Sequence, residues 1–200
     1  MPEKTAQKEP GKKPAPSKKP KPQQEVVVQI PLSELHPFPD HPFQVRKDAS
    51  MQETAESVKE YGVLVPALAR PREDGGYELI AGHRRKHACE LAGLATMPVI
   101  VRDIDRDAAT IIMVDSNLQR ENILPSERAK AYKMKMEAIK RQGARTDLTS
   151  PKISAKFRSD DEVGQDAGVS GDTIRNYIAL TQLVPELQQM VDEKKIALSP

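Results

Sequence analysis

The sequence predicts an α+β chain, a small mixed α/β domain followed by an all-α domain. Three observations predict it. Short apolar runs alternate with helix-periodic segments between residues 26 and 104, as in a layer of sheet and helices. From Asp105 onward almost every segment has helical periodicity. The first 25 residues are rich in Lys and Pro and hold almost nothing to bury, so they read as an extended, disordered tail. The expected divisions are a tail over 1–25, a mixed domain over 26–122 and a helical domain over 123–200.

Each element has a local reason. "VVVQIPL" from Val26 reads as a strand. Ser50-Met51-Gln52-Glu53 resembles a capping box, opening a helix that Gly62 closes. "PALARP" and "YELIAG" are strands around the turn "REDGG". A helix is expected over Arg84–Leu91, ended by Gly93, with "MPVIVRDI" as the next strand. Asp105 caps "RDAATIIMVDSNLQ", and Pro125 suits the N-terminus of "SERAKAYKMKMEAIKRQG". Residues 144–158 read as irregular, and "PELQQMVDEKKIAL" as a last helix. The chain stops at "ALSP" without a terminating signal, so a continuation is expected.

The bulk numbers set the class. Hydrophobic residues make up 38% and aromatic ones 4%, with no Trp, as suits a soluble, helix-rich protein with a modest core. No apolar run approaches the ~20 residues of a membrane span, and no signal peptide is seen, so no membrane partner is expected. Cys89 is the single cysteine, consistent with a reducing, cytoplasmic location. The formal charge of +2 is unevenly spread: +4 over 1–25, −4 over 26–125, +7 over 126–158 and −5 over 159–200. The basic block within the folded part is where a polyanion would be attracted.

Two motifs carry chemistry. Around Gly168 the layout "V-x-x-x-A-G-V-S-x-x-T-I-x-x-Y" is a helix-turn-helix pattern, with Ser170 as N-cap of the second helix. In such a motif the start of the second helix enters the major groove. Ser170, Gly171, Asp172, Thr173, Arg175 and Asn176 are the DNA-facing candidates. A helical hairpin that merely packs is the plainer alternative. The acidic charge of the segment speaks against DNA, the adjacent basic block for it.

The second motif is "LIAGHRRKHA" (79–88), where a strand ends in glycine and basic residues crowd the start of a helix. Arg84 and Arg85 there oppose the helix dipole by ~0.3–1 kcal/mol each. An anion reverses that sign, because Gly82 admits backbone N–H groups to a phosphate and arginine supplies forked donors. A solvated basic helix start is the bland alternative. His83 and His87 stand at metal-binding spacing, but the Glu of the zinc-protease pattern is absent and Cys89 completes no cluster.

Four segments, in order, resemble the ParB/Noc group of DNA-partition proteins. "HPFQVRK" (41–47) is similar to the family's N-P-x-Q-P-R, and "EYGVLVPALAR" (60–70) to its G-(I/V)-x-x-P-(I/L)-x-V-R. "AGHRRKHA" (81–88) is similar to G-E-R-R-x-R-A, and "SNLQRENILPSERAKAY" (116–132) to E-N-x-Q-R-x-x-L-x-P-x-E-x-A-x-A-Y. The resemblance implies a nucleotide-binding mixed domain and a helix-turn-helix domain that recognises a palindromic, centromere-like site on double-stranded DNA. It implies a homodimeric, nucleoid-associated clamp that CTP closes on DNA and slow CTP hydrolysis reopens. Carried over, Gly82, Arg84 and Arg85 hold the triphosphate, Asn117 helps bind Mg²⁺, and Arg120 lies beside the phosphates. Gly62–Pro66 lines the cytosine pocket, with Gln44 and Arg46 near the nucleotide.

The departures are specific. His83 and Ser116 replace two family Glu residues, and neither supports a metal or a water as a carboxylate does, so binding is expected to survive with weakened hydrolysis. The family's N-terminal arm stimulates a ParA-type ATPase, often through an Arg, whereas the first Arg here is Arg46. The family's C-terminal dimerisation domain has no counterpart in these residues. Rival readings are a regulator that binds DNA without moving it, or a redox or nuclease relative of the fold. The redox reading lacks the cysteine that sulfiredoxins place before the His, where Gly82 stands. For a nuclease, no carboxylate cluster can be assembled from the spacings.

Overall fold

A computed structural model of the chain describes residues 25–45, 48–120, 122–146 and 159–198. The expected tail up to residue 24, Arg46 and most of the expected irregular stretch lie outside the described residues. Five strands form one mixed sheet: β1 (Val27–Pro31), β2 (Leu35–Pro37), β3 (Ala67–Pro71), β4 (Tyr77–Ala81) and β5 (Thr96–Val101). Their order is β1-β5-β3-β4-β2. β1/β5 and β3/β4 are antiparallel; β3/β5 and β2/β4 are parallel. Arg70 and Glu78 face each other across β3 and β4, joined by a 2.6 Å salt bridge. That pairing allows Glu78 to be buried.

Two-residue periodicity decides which layer each strand side chain joins. Leu79, with Ala67 and Ala69, packs beneath α1 (Ala49–Tyr61) and α2 (His83–Leu91), against Met51, Val58, Ala88 and Cys89. Ile80 and Leu68 turn to the opposite face, where α3 (Arg106–Leu118) supplies Ala109, Met113 and Val114. The sheet is therefore covered on both faces. α4 (Pro125–Thr146) lies along α3, and Ala131 joins the same core.

Beyond it, α5 (Ser159–Ala167), α6 (Gly171–Leu180) and α7 (Pro185–Asp192) pack on α4. Tyr132, Val163 and Ile174 form one small core there, and Ala129, Leu180 and Val191 another. Gly168, with φ +68, turns the chain between α5 and α6. Ser170 then caps α6, its hydroxyl accepting the Thr173 N–H at 3.1 Å.

Two expected helix starts are corrected. Ser50 is not the cap of α1: Asp48 is, its carboxylate accepting the Met51 N–H at 3.0 Å. The helix begins two residues earlier than the capping-box spacing indicated because Asp48 supplies a charged acceptor to the Met51 N–H, ahead of the bond that Ser50 would have made. α2 begins at His83 rather than Arg84, directly behind Gly82. α4 runs on to Thr146, beyond the expected end at residue 143.

Candidate functional site

Gly82 ends β4 and opens α2 with φ +111, a conformation that L side chains rarely adopt. A Cβ there would stand 2.8 Å from the Ala67 Cβ. The strand-to-helix turn is thus held tight against β3, and the first N–H groups of α2 stay open to an anion. His83, Arg84 and Arg85 fill the first turn, with no acidic residue to offset the dipole.

A cavity of about 660 Å³ lies alongside, lined by Phe43, Gln44, Arg84, Arg120, Ile123 and Glu127 among others. Arg84 reaches across it, donating from Nη2 to the Ser50 hydroxyl at 3.2 Å. Burial lowers the Arg120 pKa below its ordinary value, and the nearby charges of Arg84 and Arg85 push it further down against the pull of Glu127. Burial likewise lowers that of Arg85. Among the described residues, none of these three arginines forms a salt bridge. Three guanidinium groups brought together, offset in part by the Glu127 carboxylate on the same cavity wall, carry an excess of positive charge that an anionic ligand would relieve.

Arg85 does something more specific. Its Nη1 donates to the carbonyl oxygens of Val65 and Pro66, both at 2.6 Å. It ties the segment between α1 and β3 to the start of α2. Glu127, at the start of α4, plays a comparable part on the far wall. Its carboxylate accepts the N–H of Gln44 at 3.1 Å and that of Leu124 at 3.3 Å.

His83 stacks against His41, ring centroids 3.9 Å apart and tilted by 43°. Burial, with the charges of His41, Arg120 and Lys86, lowers the His83 imidazole to about 3. His41 is also lowered, chiefly by burial, although its Nδ1 lies 2.8 Å from the Phe43 carbonyl. Both rings are therefore neutral near pH 7. Among the described residues no three His, Cys, Asp or Glu side chains stand together as a metal site, so His83 and His87 gain no further ligand.

Asn117, near the end of α3, is buried, and its Nδ2 donates to the Met113 carbonyl at 2.8 Å. Its Oδ1 is a buried acceptor without a hydrogen-bond partner. A bare amide oxygen is a suitable donor for a hard cation such as Mg²⁺, so this residue fits the role. The neighbouring Ser116 hydroxyl instead donates back into its own helix, to Met113 O at 2.9 Å.

Residues 16–118 match the family model of the ParB N-terminal domain. The chain belongs to that family. It is 36% identical to the chromosome-partitioning protein Spo0J of Thermus thermophilus over 85% of this chain and 56% of that protein. It is 30% identical to the nucleoid occlusion protein of Halalkalibacterium halodurans over 87% of this chain and 55% of that one. The chain thus spans a little over half the length of these curated relatives. The C-terminally truncated ParB of Caulobacter crescentus complexed to the centromeric parS site matches with a TM-score of 0.56 and 27% identity, over 86% of this chain and 80% of that one. The same protein complexed with CTP-γ-S is 29% identical over 85% of this chain and 86% of that one, with a TM-score of 0.45.

Within the ParB frame, the site residues expected from sequence separate into groups. Gln44, Arg84 and Arg120 line the large cavity, and Gly82, His83 and Arg85 form the turn beside it. Pro66 is joined to that turn through Arg85, while Gly62 caps the end of α1 with φ +72. Glu127 and His41 were not foreseen as site residues. Glu127 lies inside the fourth matched segment and His41 begins the first, so the signal for both was already in the motifs.

The candidates on α6 are less uniform. Thr173 is half-buried and Asn176 exposed, while Ser170 is engaged in capping. Gly171 is buried against α5, with the Asp161 carboxylate oxygen 2.2 Å from where a Cβ would stand, so a side chain there would displace that carboxylate. Arg175 is held by the carboxylates of Asp160 and Asp172. On α4, Lys130, Lys133 and Lys140 are exposed.

Proposed function

We propose that this chain is the nucleotide- and DNA-binding part of a ParB-type partition protein, binding CTP at the start of α2 and double-stranded DNA through α6 and the lysines of α4. The observation that carries the nucleotide reading is the convergence of Arg84, Arg85 and Arg120, free of salt bridges, on a helix N-terminus behind Gly82. Arg84 and Arg120 face the cavity and neutralise an anion there; the α2 N–H groups and Gly82 receive it from the strand side. Asn117 Oδ1 would hold Mg²⁺. A bound CTP–Mg²⁺ pair would supply a phosphoryl group open to attack by water. CTP is preferred to other triphosphates because the relative from Caulobacter crescentus is known with its thio analogue.

Hydrolysis is expected to be slow. His83 is a neutral ring stacked on His41, and the Ser116 hydroxyl is spent on Met113. Neither offers the negative charge that holds a metal or activates water. The DNA reading rests on α6 following a glycine turn with its N-cap in place, and on the resemblance to the parS-bound relative. Homodimeric clamping, sliding and a ParA-type partner follow from the family resemblance. A second reading, a DNA-bound regulator without a role in partition, is favoured by the nucleoid occlusion relative.

Calorimetric titration with CTP, UTP, ATP and GTP, each with Mg²⁺, tests the first half. Selective CTP binding supports it; equal binding of all four, or none, overturns the CTP assignment. Phosphate release by the His83→Glu, Ser116→Glu double variant tests the second half. Faster turnover than the wild type is expected, and an unchanged rate would remove both residues from the explanation.

A further inference from the structure

The start of α4 carries a carboxylate where an anion site would least tolerate one. Pro125 opens the helix, and the Arg128 N–H bonds back to the Leu124 carbonyl at 2.9 Å, so Leu124 stands at the N-cap. A leucine side chain has no oxygen to cap with. Glu127 supplies the acceptor instead, its Oε2 taking the Leu124 N–H at 3.3 Å. Its Oε1 takes the Gln44 N–H at 3.1 Å, across 83 residues of chain. Glu127 is only 8% exposed, so both bonds are shielded from competing solvent. The two amides it holds directly follow Phe43 and Ile123, which pack in one core and line the cavity with Gln44, Arg84 and Arg120. One carboxylate thus joins residues 43–44 to the start of α4 along the cavity wall.

By charge alone this residue is misplaced. It attracts Arg120, but a triphosphate entering the same cavity meets it as a like charge. Its geometry is harder to replace. An ionised carboxylate has two acceptor oxygens, one for each N–H. An amide has a single acceptor oxygen and would turn its NH₂ on the other donor. We infer that Glu127 is a positioning residue of the nucleotide cavity, holding the Gln44 and Leu124 amides on one wall, and that this ordering outweighs the repulsion of its charge. This role rests on the nucleotide reading above and deepens it.

The test compares the wild type with Glu127→Asp and Glu127→Gln by titration with CTP and with inorganic tripolyphosphate, each with Mg²⁺, at low and high salt. Amide hydrogen exchange is followed on each ligand-free protein. Glu127→Asp keeps the charge but is one methylene too short to span both donors. It should weaken both ligands by about tenfold at either salt, the loss of one hydrogen bond to a charged group. Glu127→Gln should weaken them by about as much at high salt. At low salt its deficit should shrink, because losing the carboxylate also removes a repulsion. Exchange at Gln44 and Leu124 should rise in both variants, with the strand amides unchanged. If Glu127→Asp matches the wild type while Glu127→Gln binds more tightly at low salt, Glu127 acts by charge only and the inference is overturned. The nucleotide reading survives that result. A rise in exchange throughout β3, β4 and β5 would overturn the inference in favour of a structural role. Tripolyphosphate has no base, so it reads the same effect if the CTP assignment alone fails. Failure of the wild type to bind either ligand would sink the underlying reading and the inference with it.

Discussion

The chain treats its cations in two opposite ways. Around the α2 turn, Arg84, Arg85 and Arg120 are brought together without a carboxylate in salt-bridge reach. In the helical part, Lys135 is buried to 1% exposure yet held by Asp115 at 2.7 Å and Asp166 at 2.9 Å, and Arg175 is clasped by Asp160 and Asp172. The second arrangement is a frame. Lys135 on α4 binds α3 through Asp115 and α5 through Asp166, tying the sheet-covering helix to the α5–α6 unit. The first is a vacancy of charge, costly in the free protein and relieved by an anion. The contrast teaches that the pairing of basic residues, more than their number, separates binding sites from scaffolding.

The largest expected effect lies on the paired side. Lys135→Ala should destabilise the fold by about 3 kcal/mol, the low end of the range for breaking a buried pair because both aspartates retain much of their water. Denaturant unfolding followed by circular dichroism measures it. Burial lowers the Lys135 pKa, but the bonds to Asp115 and Asp166 outweigh it and the net shift is upward from 10.5. The stabilisation is therefore complete below pH 10.5 and disappears as pH rises through the raised value. An unchanged midpoint would mean the pair only breaks even and the frame lies elsewhere.

On the unpaired side, the depressed His83 pKa has the opposite linkage. Between pH 6.5 and about 3 the unfolded chain takes up a proton that folded His83 refuses, so stability falls with pH across that window. The expected slope is roughly 1 kcal/mol per pH unit, and His83→Gln should flatten it in thermal melts. A wild-type profile that matches the variant would show that the ring is not held neutral.

A smaller change is expected at Arg175. Replacing exposed Asp172 with Asn removes one of its two holders and one like charge facing DNA. Non-specific affinity for a mixed-sequence duplex should rise several-fold, with steeper salt dependence, by fluorescence anisotropy. No change would show that α6 does not face the duplex. The smallest effect sharpens the idea of uncompensated charge. Without nucleotide, Arg120→Gln should stabilise the protein slightly, by about 0.3 kcal/mol at low salt and less at high salt. Destabilisation would mean that attraction to Glu127 outweighs repulsion from Arg84 and Arg85.

Much of this was legible in the sequence because its signals are local. The "GHRR" turn, the Ser170 and Asp105 caps, Pro125 at the start of α4 and the glycine at residue 168 each depend on neighbours within four residues. The strand at "YELIAG" and the helices after Asp105 were likewise legible from the sequence, whereas the burial of Leu79 and Ile80 in separate cores on the two faces of the sheet came from the fold. The tertiary structure alone decided what lies between segments distant in sequence. Gln44 meets Glu127 across 83 residues, Arg85 meets Val65 across 20, and Lys135 meets Asp166 across 31. The sequence could name Arg85 and Arg175 as candidate ligands with equal right, since side-chain type and spacing are alike in both. Chain order already offered Asp172 to Arg175 at i,i+3, but only the fold added Asp160 and set Arg85 beside other cations with no ion-pair partner, because Coulomb energy depends on distances in space that chain order does not record.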